Sequence, residues 1–169
     1  SELRVLNLSG FNFTTLSFFE QPSFISKIIK KLDFSFCKNE FDTEFIKSII
    51  RECKSLKSLN LSYIQTPKYI NKEPQFLFYS FNHSQIDTYS PLEELNVEST
   101  NLRDEDLKFL YKMKDSLIKL NISKCRLLSS QAIQEAFQNM SGKLKNFNVN
   151  FTNASKELID YAYFTEKMR

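Results

Sequence analysis

Six times along the chain the order apolar-x-x-apolar-x-apolar recurs. It reads LRVLNL (Leu3 to Leu8), IKKLDF (Ile29 to Phe34), LKSLNL (Leu56 to Leu61), LEELNV (Leu92 to Val97), LIKLNI (Leu117 to Ile122) and LKNFNV (Leu144 to Val149). The starts lie 26, 27, 36, 25 and 27 residues apart, so internal repetition is the first thing to explain. In each copy the fourth and sixth positions alternate as the inward face of a strand does. Between them stands Asn7, Asp33, Asn60, Asn96, Asn121 or Asn148. An amphipathic helix would not hold one polar type at a single phase. The hexamers predict short strands stacked in register.

A second spacing fills the intervals, at helical period. Phe45, Ile46, Ile49, Ile50 and Cys53 follow Asp42 as one apolar stripe; Ala132, Ile133, Ala136, Phe137 and Met140 repeat it, and Leu158, Ile159, Ala162 and Tyr163 begin it again. Asp104 precedes a shorter version, Leu107, Leu110 and Tyr111. Asp42, Asp104, Ser130 and Ser155 are expected as N-caps, because their side-chain oxygens can accept the unpaired N–H groups of a helix start. Gly142 stands where a left-handed closing residue belongs. Strand and helix alternate, one pair per interval.

The third interval, 36 residues, departs from this. An irregular insertion at about 65–90 carries Pro67 and Pro74, with Pro91 just after it, which exclude a long helix, and the apolar run QFLFYSF at Gln75–Phe81. Either the run folds back onto the protein, the favoured reading, or Phe76, Phe78 and Tyr79 dock a partner.

These features resemble the leucine-rich repeat family over essentially all of residues 3–169. The likeness is to the cysteine-containing subtype of F-box/LRR proteins, whose pattern is L-x-x-L-x-L-x-x-C, a helix, and a second cysteine before the next leucine. IKKLDFSFCKNEFDTEFIKSIIRECKSLKSLNL supplies Cys37, Phe41, Asp42, Ile46, Ile49, Cys53 and Leu56 at those places, and LIKLNISKCRLL supplies Cys125 and Leu128. Elsewhere the first cysteine position holds Phe11, Ile64, Thr100 or Thr152, and TNLRDEDLKFL is closer to the ribonuclease-inhibitor-like variant. The resemblance implies an α/β fold: a right-handed leucine-rich repeat solenoid of about six strand–helix repeats with a concave parallel sheet, in a single domain spanning 1–169. Each unit is too small to bury its own apolar face, so neighbours share one core. The resemblance also implies that Cys37, Cys125, Thr100 and Thr152 bond to turn backbone. Leu3 opens a strand with nothing before it to cover its edge, so a cap, a partner or a preceding segment of a longer chain is expected there.

Composition narrows the chemistry. Apolar residues make up 41% and charged residues 25% of the chain, a folded composition, and no apolar run approaches the ~18–20 residues that cross a bilayer. Three cysteines, an odd number, fit a reducing compartment, and eight N-x-S/T sequons would each risk a glycan during secretion. An intracellular protein of cytoplasm, nucleus or mitochondrion is expected. With two glycines there is no phosphate-cradling loop. His83, the only histidine, has no nucleophile context, and it and the dispersed cysteines lack zinc spacing. No catalytic residue, metal, cofactor or small-molecule substrate is expected.

A non-enzymatic protein-interaction scaffold is therefore the leading functional reading. The strand positions facing outward include Asn60 and Ser62, Glu94, Asn96 and Glu98, Asn121, Ser123 and Lys124. With Tyr63, Phe76, Phe78 and Tyr79, the residues Asn60, Glu94, Asn96, Glu98, Asn121 and Lys124 form the candidate partner-binding set. Such a surface could hydrogen-bond an extended peptide, or it could simply face water; the two stand level. Phe36, Tyr63 and Phe151, just past the strands, are either hot-spot aromatics or packed on neighbouring turns, with packing favoured for Phe36 and Phe151. F-box/LRR resemblance suggests a substrate-receptor module of a ubiquitin ligase. The alternative is a structural or assembly subunit of a large complex, mitochondrial or other. An RNA-associated role ranks lower: Lys27, Lys30, Lys31, Lys54 and Lys57 could form a basic patch, yet the net charge is only +3.

Overall fold

A computed structural model describes residues 3–12, 27–38, 43–64, 69–70, 73–74, 77–78 and 89–159. In chain order its elements are β1 (Val5–Asn7), β2 (Lys31–Asp33), α1 (Thr43–Glu52), β3 (Ser58–Asn60), β4 (Tyr69–Ile70), β5 (Glu73–Pro74), β6 (Glu94–Asn96), α2 (Asp104–Leu110), one turn of 3-10 helix (Tyr111–Met113), β7 (Lys119–Asn121), α3 (Ser130–Met140) and β8 (Asn146–Asn148). A further helical turn covers 156–159.

The architecture is α/β. Six strands form one parallel sheet in the order β1-β2-β3-β6-β7-β8, which is chain order once the small antiparallel β4–β5 pair is set aside. Parallel neighbours cannot be joined by a tight hairpin, so each interval must cross over outside the sheet. The register never slips: Leu6, Leu32, Leu59, Leu95, Leu120 and Phe147 pair in one row, with the Asn/Asp column in the next. A slip of one residue would turn every one of these leucines to solvent, and this apolar row therefore holds the alignment.

Three columns of the hexamer build the core. Ile29, Leu56, Leu92, Leu117 and Leu144 fill the first, Leu32, Leu59, Leu95 and Leu120 the second, and Phe34, Leu61, Val97, Ile122 and Val149 the third, all buried. The opening unit differs: Leu3 is 49% exposed, and Leu6 and Leu8 are half-buried. The helical stripes point inward as their spacing predicts. Phe45, Ile46, Ile49 and Ile50 on α1, Leu107 and Leu110 on α2, and Ala132, Ile133, Ala136 and Met140 on α3 are buried.

Helix boundaries correct several expectations. The cap of α3 is Ser129, whose hydroxyl accepts the Ala132 N–H at 3.1 Å, and Ser130 is already helical. Asp104 likewise lies inside α2. There Asp106 accepts the Arg103 N–H at 2.9 Å, the carboxylate half of a capping box whose other half an arginine, with donors only, cannot supply. Ser155 does accept, from the Leu158 N–H at 3.3 Å. Gly142 is not left-handed: α3 ends on a right-handed Ser141, and Gly10 is the described glycine with positive φ. Asp42, Phe41, Ala162 and Tyr163 lie outside the described residues.

The long interval folds inward where it is described. Leu77 and Phe78 are fully buried, and the Phe78 ring lies 5.3 Å from that of Phe109 on α2. Phe78 is thereby withdrawn from the candidate docking aromatics, because a core side chain cannot meet a partner. Phe76 and Tyr79 lie outside the described residues, as does His83. The Ser90 hydroxyl, 2.6 and 2.7 Å from the carbonyls of Ile50 and Cys53, closes the end of α1.

Candidate functional site

The unpaired face of the sheet is a shallow groove of about 450 Å³, running over all six strands. Its lining combines Val5, Lys31, Ser58, Glu94, Lys119 and Asn146 with the Asn/Asp column. That column has a structural task first. Asn7, Asp33, Asn60, Asn96, Asn121 and Asn148 each accept, through Oδ1, the N–H two residues further on, at 2.8–3.1 Å. This is the Asx turn, a side chain standing in for backbone. It ends every strand after three residues.

The Oδ1 atoms of Asn60, Asn96 and Asn121 are thus engaged within the chain, and so are the Nδ2 groups of Asn60 and Asn121. Asn60 Nδ2 donates to Asp33 at 3.0 Å, and Asn121 Nδ2 to Glu98 Oε2 at 3.3 Å. The serines that follow are a correction as well. Ser62 and Ser123, expected on the surface, are each 4% exposed, as is Ser35, because the turn folds them under.

After each Asx turn the chain adopts a left-handed conformation at one fixed phase: Gly10, Phe36, Tyr63, Ser99, Lys124 and Phe151, with φ between 56° and 73°. Glycine is the usual choice there, since a Cβ costs ~1–2 kcal/mol in this region. The conformation is held from outside. The N–H groups of Gly10, Phe36, Tyr63, Ser99 and Lys124 donate to a carbonyl of the next unit at 2.8–3.0 Å. Their side chains therefore stand along one rim. Phe36 stacks on Tyr63, with centroids 4.5 Å apart and planes 12° apart, while remaining 55% exposed. Phe151 is 76% exposed, so the packing expected of it is not present.

Tyr63, Glu98 and Lys124, candidates on three different strand ends, meet. Glu98 Oε1 accepts from the Tyr63 hydroxyl at 2.8 Å and from Lys124 Nζ at 2.7 Å, and Lys124 Nζ lies 2.6 Å from the Tyr63 hydroxyl. Lys124 Nζ is also 5.2 Å from the ring centroid. Both distances together place the ammonium beyond the hydroxyl edge and not over the ring face, so the contact is a charge-assisted hydrogen bond. The Lys124 bond holds the Glu98 carboxyl below its ordinary range, and Glu98 raises Lys124 in return.

The acidic strand is neutralised on both sides. Glu93 pairs with Lys57 at 2.6 Å and Glu94 with Lys119 at 2.7 Å, the latter bond lowering the Glu94 carboxyl. Cysteine and threonine beyond the strands bond to backbone carbonyls. Cys37 Sγ reaches Leu8 O and Cys125 Sγ reaches Val97 O, both at 3.1 Å, while the Thr100 and Thr152 hydroxyls donate to Val97 O and Val149 O. Burial pushes all three thiols up, Cys53 to about 11.

The stack at Phe36 and the ion cluster at Tyr63 were not derivable from strand alternation, which treats positions past the strand as loop. The signal was the constant spacing of three residues from the Asn/Asp column. Among the described residues no cluster of His, Cys, Asp and Glu is placed to hold a metal, and no helix is long and apolar enough to cross a membrane. Compared with known proteins, the chain matches no family model and no curated protein.

Proposed function

We propose that this chain is a leucine-rich repeat solenoid acting as a non-enzymatic scaffold, and that the open face of its parallel sheet binds another protein. The observation that carries the reading is the groove: a face of amides, hydroxyls and ion pairs over a register held rigid by the buried leucine row. Amides that keep Nδ2 donors, as at Asn96, and a rim carrying Phe36 and Tyr63 are what an extended protein segment uses. The ionisable groups at Tyr63, Glu98 and Lys124 satisfy one another, which favours holding over turnover. A substrate-receptor module of a ubiquitin ligase is the finer form of this proposal and rests on family likeness.

A second reading, a subunit of a larger intracellular assembly, is favoured by exposed apolar residues on the first unit. Leu3, Val5 and Phe11 are 49%, 57% and 58% exposed. End-on packing against a neighbour would cover them.

The test fills the groove without touching the Asx turns. Native capture with mass spectrometry compares wild type, Ser58→Trp with Asn146→Trp, and Gln138→Trp on the helix side. Selective loss in the groove variant is expected. Equal capture by wild type and the groove variant overturns the reading.

A further inference from the structure

The charge on the open face is not evenly spread. Over β6 and β7 each carboxylate has a lysine: Lys57–Glu93, Lys119–Glu94 and Lys124–Glu98. Over β1 and β2 the situation is reversed. Lys31, which lines the groove, and Lys30, just before the strand and outside that lining, are exposed; no carboxylate of the described residues lies within ion-pair distance of either, although the Lys31 charge contributes to lowering the Glu94 carboxyl. The Lys30 N–H bonds the Arg4 carbonyl and the Lys57 N–H bonds the Lys30 carbonyl, which aligns these cationic residues across adjacent strands. Lys31 stands beside them, between Val5 and Ser58 in the register. Asp33, the carboxylate among the described residues that lines this half, already accepts from Ser35 N and Asn60 Nδ2.

From this asymmetry, and resting on the protein-binding reading above, we infer that the β1–β3 half of the groove recognises an acidic, extended segment of a protein partner. Carboxylates of the segment lie against Lys30 and Lys31, and an apolar side chain covers the exposed rim at Phe36. The geometry suits this occupant. Neighbouring strands are ~4.8 Å apart, so β1 to β3 span ~10 Å, the reach of about three extended residues. Arg4, Lys30 and Lys57 stand just before β1, β2 and β3 and the Phe36–Tyr63 stack forms the rim past the strand ends, so a segment crossing these strands meets cationic residues on one side and aromatic surface on the other. Two unpaired lysines match two or three carboxylates. A nucleic acid gains affinity from many phosphate contacts at once, which this half of the face does not provide.

The probe is a set of dye-labelled nonapeptides with a central phenylalanine, in acidic, neutral and basic classes, alongside poly(U) RNA. Binding is read by anisotropy at low and physiological salt. Acidic peptides are expected to bind, to weaken with salt, and to lose about tenfold or more with Lys30→Glu plus Lys31→Glu. Lys108→Glu plus Lys114→Glu, the same charge change on the helix side, is expected to leave binding within about twofold. Should the reversal unfold the sheet, Lys30→Gln plus Lys31→Gln carries the same test. Equal loss from both pairs reduces the effect to net charge and overturns the site. Preference for neutral or basic peptides, or no binding by any class, overturns the acidic partner. The groove-filling capture experiment then decides separately whether the face binds protein. Tighter binding of poly(U), lost with the Lys30 and Lys31 variants, overturns the peptide in favour of nucleic acid.

Discussion

Phe78 donates its backbone N–H to Asp106 Oδ1 at 2.6 Å, and the two residues are buried side by side. A carboxylate 1% exposed, accepting from Phe78 and Arg103, fastens the irregular interval to α2. Removing it leaves the buried Phe78 N–H and the part-buried Arg103 N–H without this acceptor, at ~1–3 kcal/mol for the buried one and less for the other. Asp106→Ala is expected to lower stability by about 2–4 kcal/mol in urea titration, and proteolysis should then cut first within 65–90. Cleavage elsewhere in the variant would show that Asp106 does not fasten this interval.

The same carboxyl predicts a pH effect. Burial pushes it from 3.8 up to about 6, against the opposing bonds from Phe78 and Arg103. Because the folded value is raised, its contribution is fully present below the unfolded value and lost as pH rises through about 6. Wild type should therefore gain stability over Asp106→Asn as pH falls from ~7 to ~5, by roughly 1.3 kcal/mol. Parallel unfolding midpoints for the two proteins would contradict this.

At Phe151 the left-handed backbone, φ 59°, carries a ring that is 76% exposed. Glycine relieves ~1–2 kcal/mol of steric cost and adds unfolded-state entropy worth part of it. Phe151→Gly should stabilise by about 0.5–1 kcal/mol, whereas the β-branched Phe151→Val should destabilise. Thermal melts ordering the three proteins otherwise would deny the strain.

Tyr63→Phe keeps the stack on Phe36 and removes the hydroxyl that Glu98 and Lys124 share. A loss of ~1 kcal/mol is expected, while Tyr63→Ala, which also removes the ring, should cost more. Equal losses would mean that the stack contributes nothing.

The thiols of Cys37, Cys53 and Cys125 are buried and raised, and the thiolate is the reactive form. Iodoacetamide at mildly alkaline pH should label the native protein slowly at all three and the urea-unfolded chain rapidly. Fast native labelling at Cys53 would place it outside the core.

The sheet was legible in the sequence because its cause is local and repeated: Leu32, Leu59, Leu95 and Leu120 must share one inward phase, and the hexamer states that phase. The Asx bonds of Asn60 and Asn96 were not legible, because alternation reports which side a residue takes, and not whether its side chain turns to its own backbone. Asp106 lies in the first turn of α2, where a carboxylate is ordinary. Its burial depends on Phe78, 28 residues earlier, across an interval without periodicity. Ser130 was taken for Ser129 because adjacent serines cap equally well until the backbone is placed.

The recurring Asx turn has an evolutionary corollary. It is closed by an Asn or Asp upstream and, at Phe36, Tyr63, Ser99 and Lys124, by the next unit's carbonyl, and neither bond uses the side chain of the left-handed residue itself. Those places behave as interchangeable display sites on a fixed frame. Drift there can rewrite which molecule the rim greets while the scaffold beneath keeps its shape.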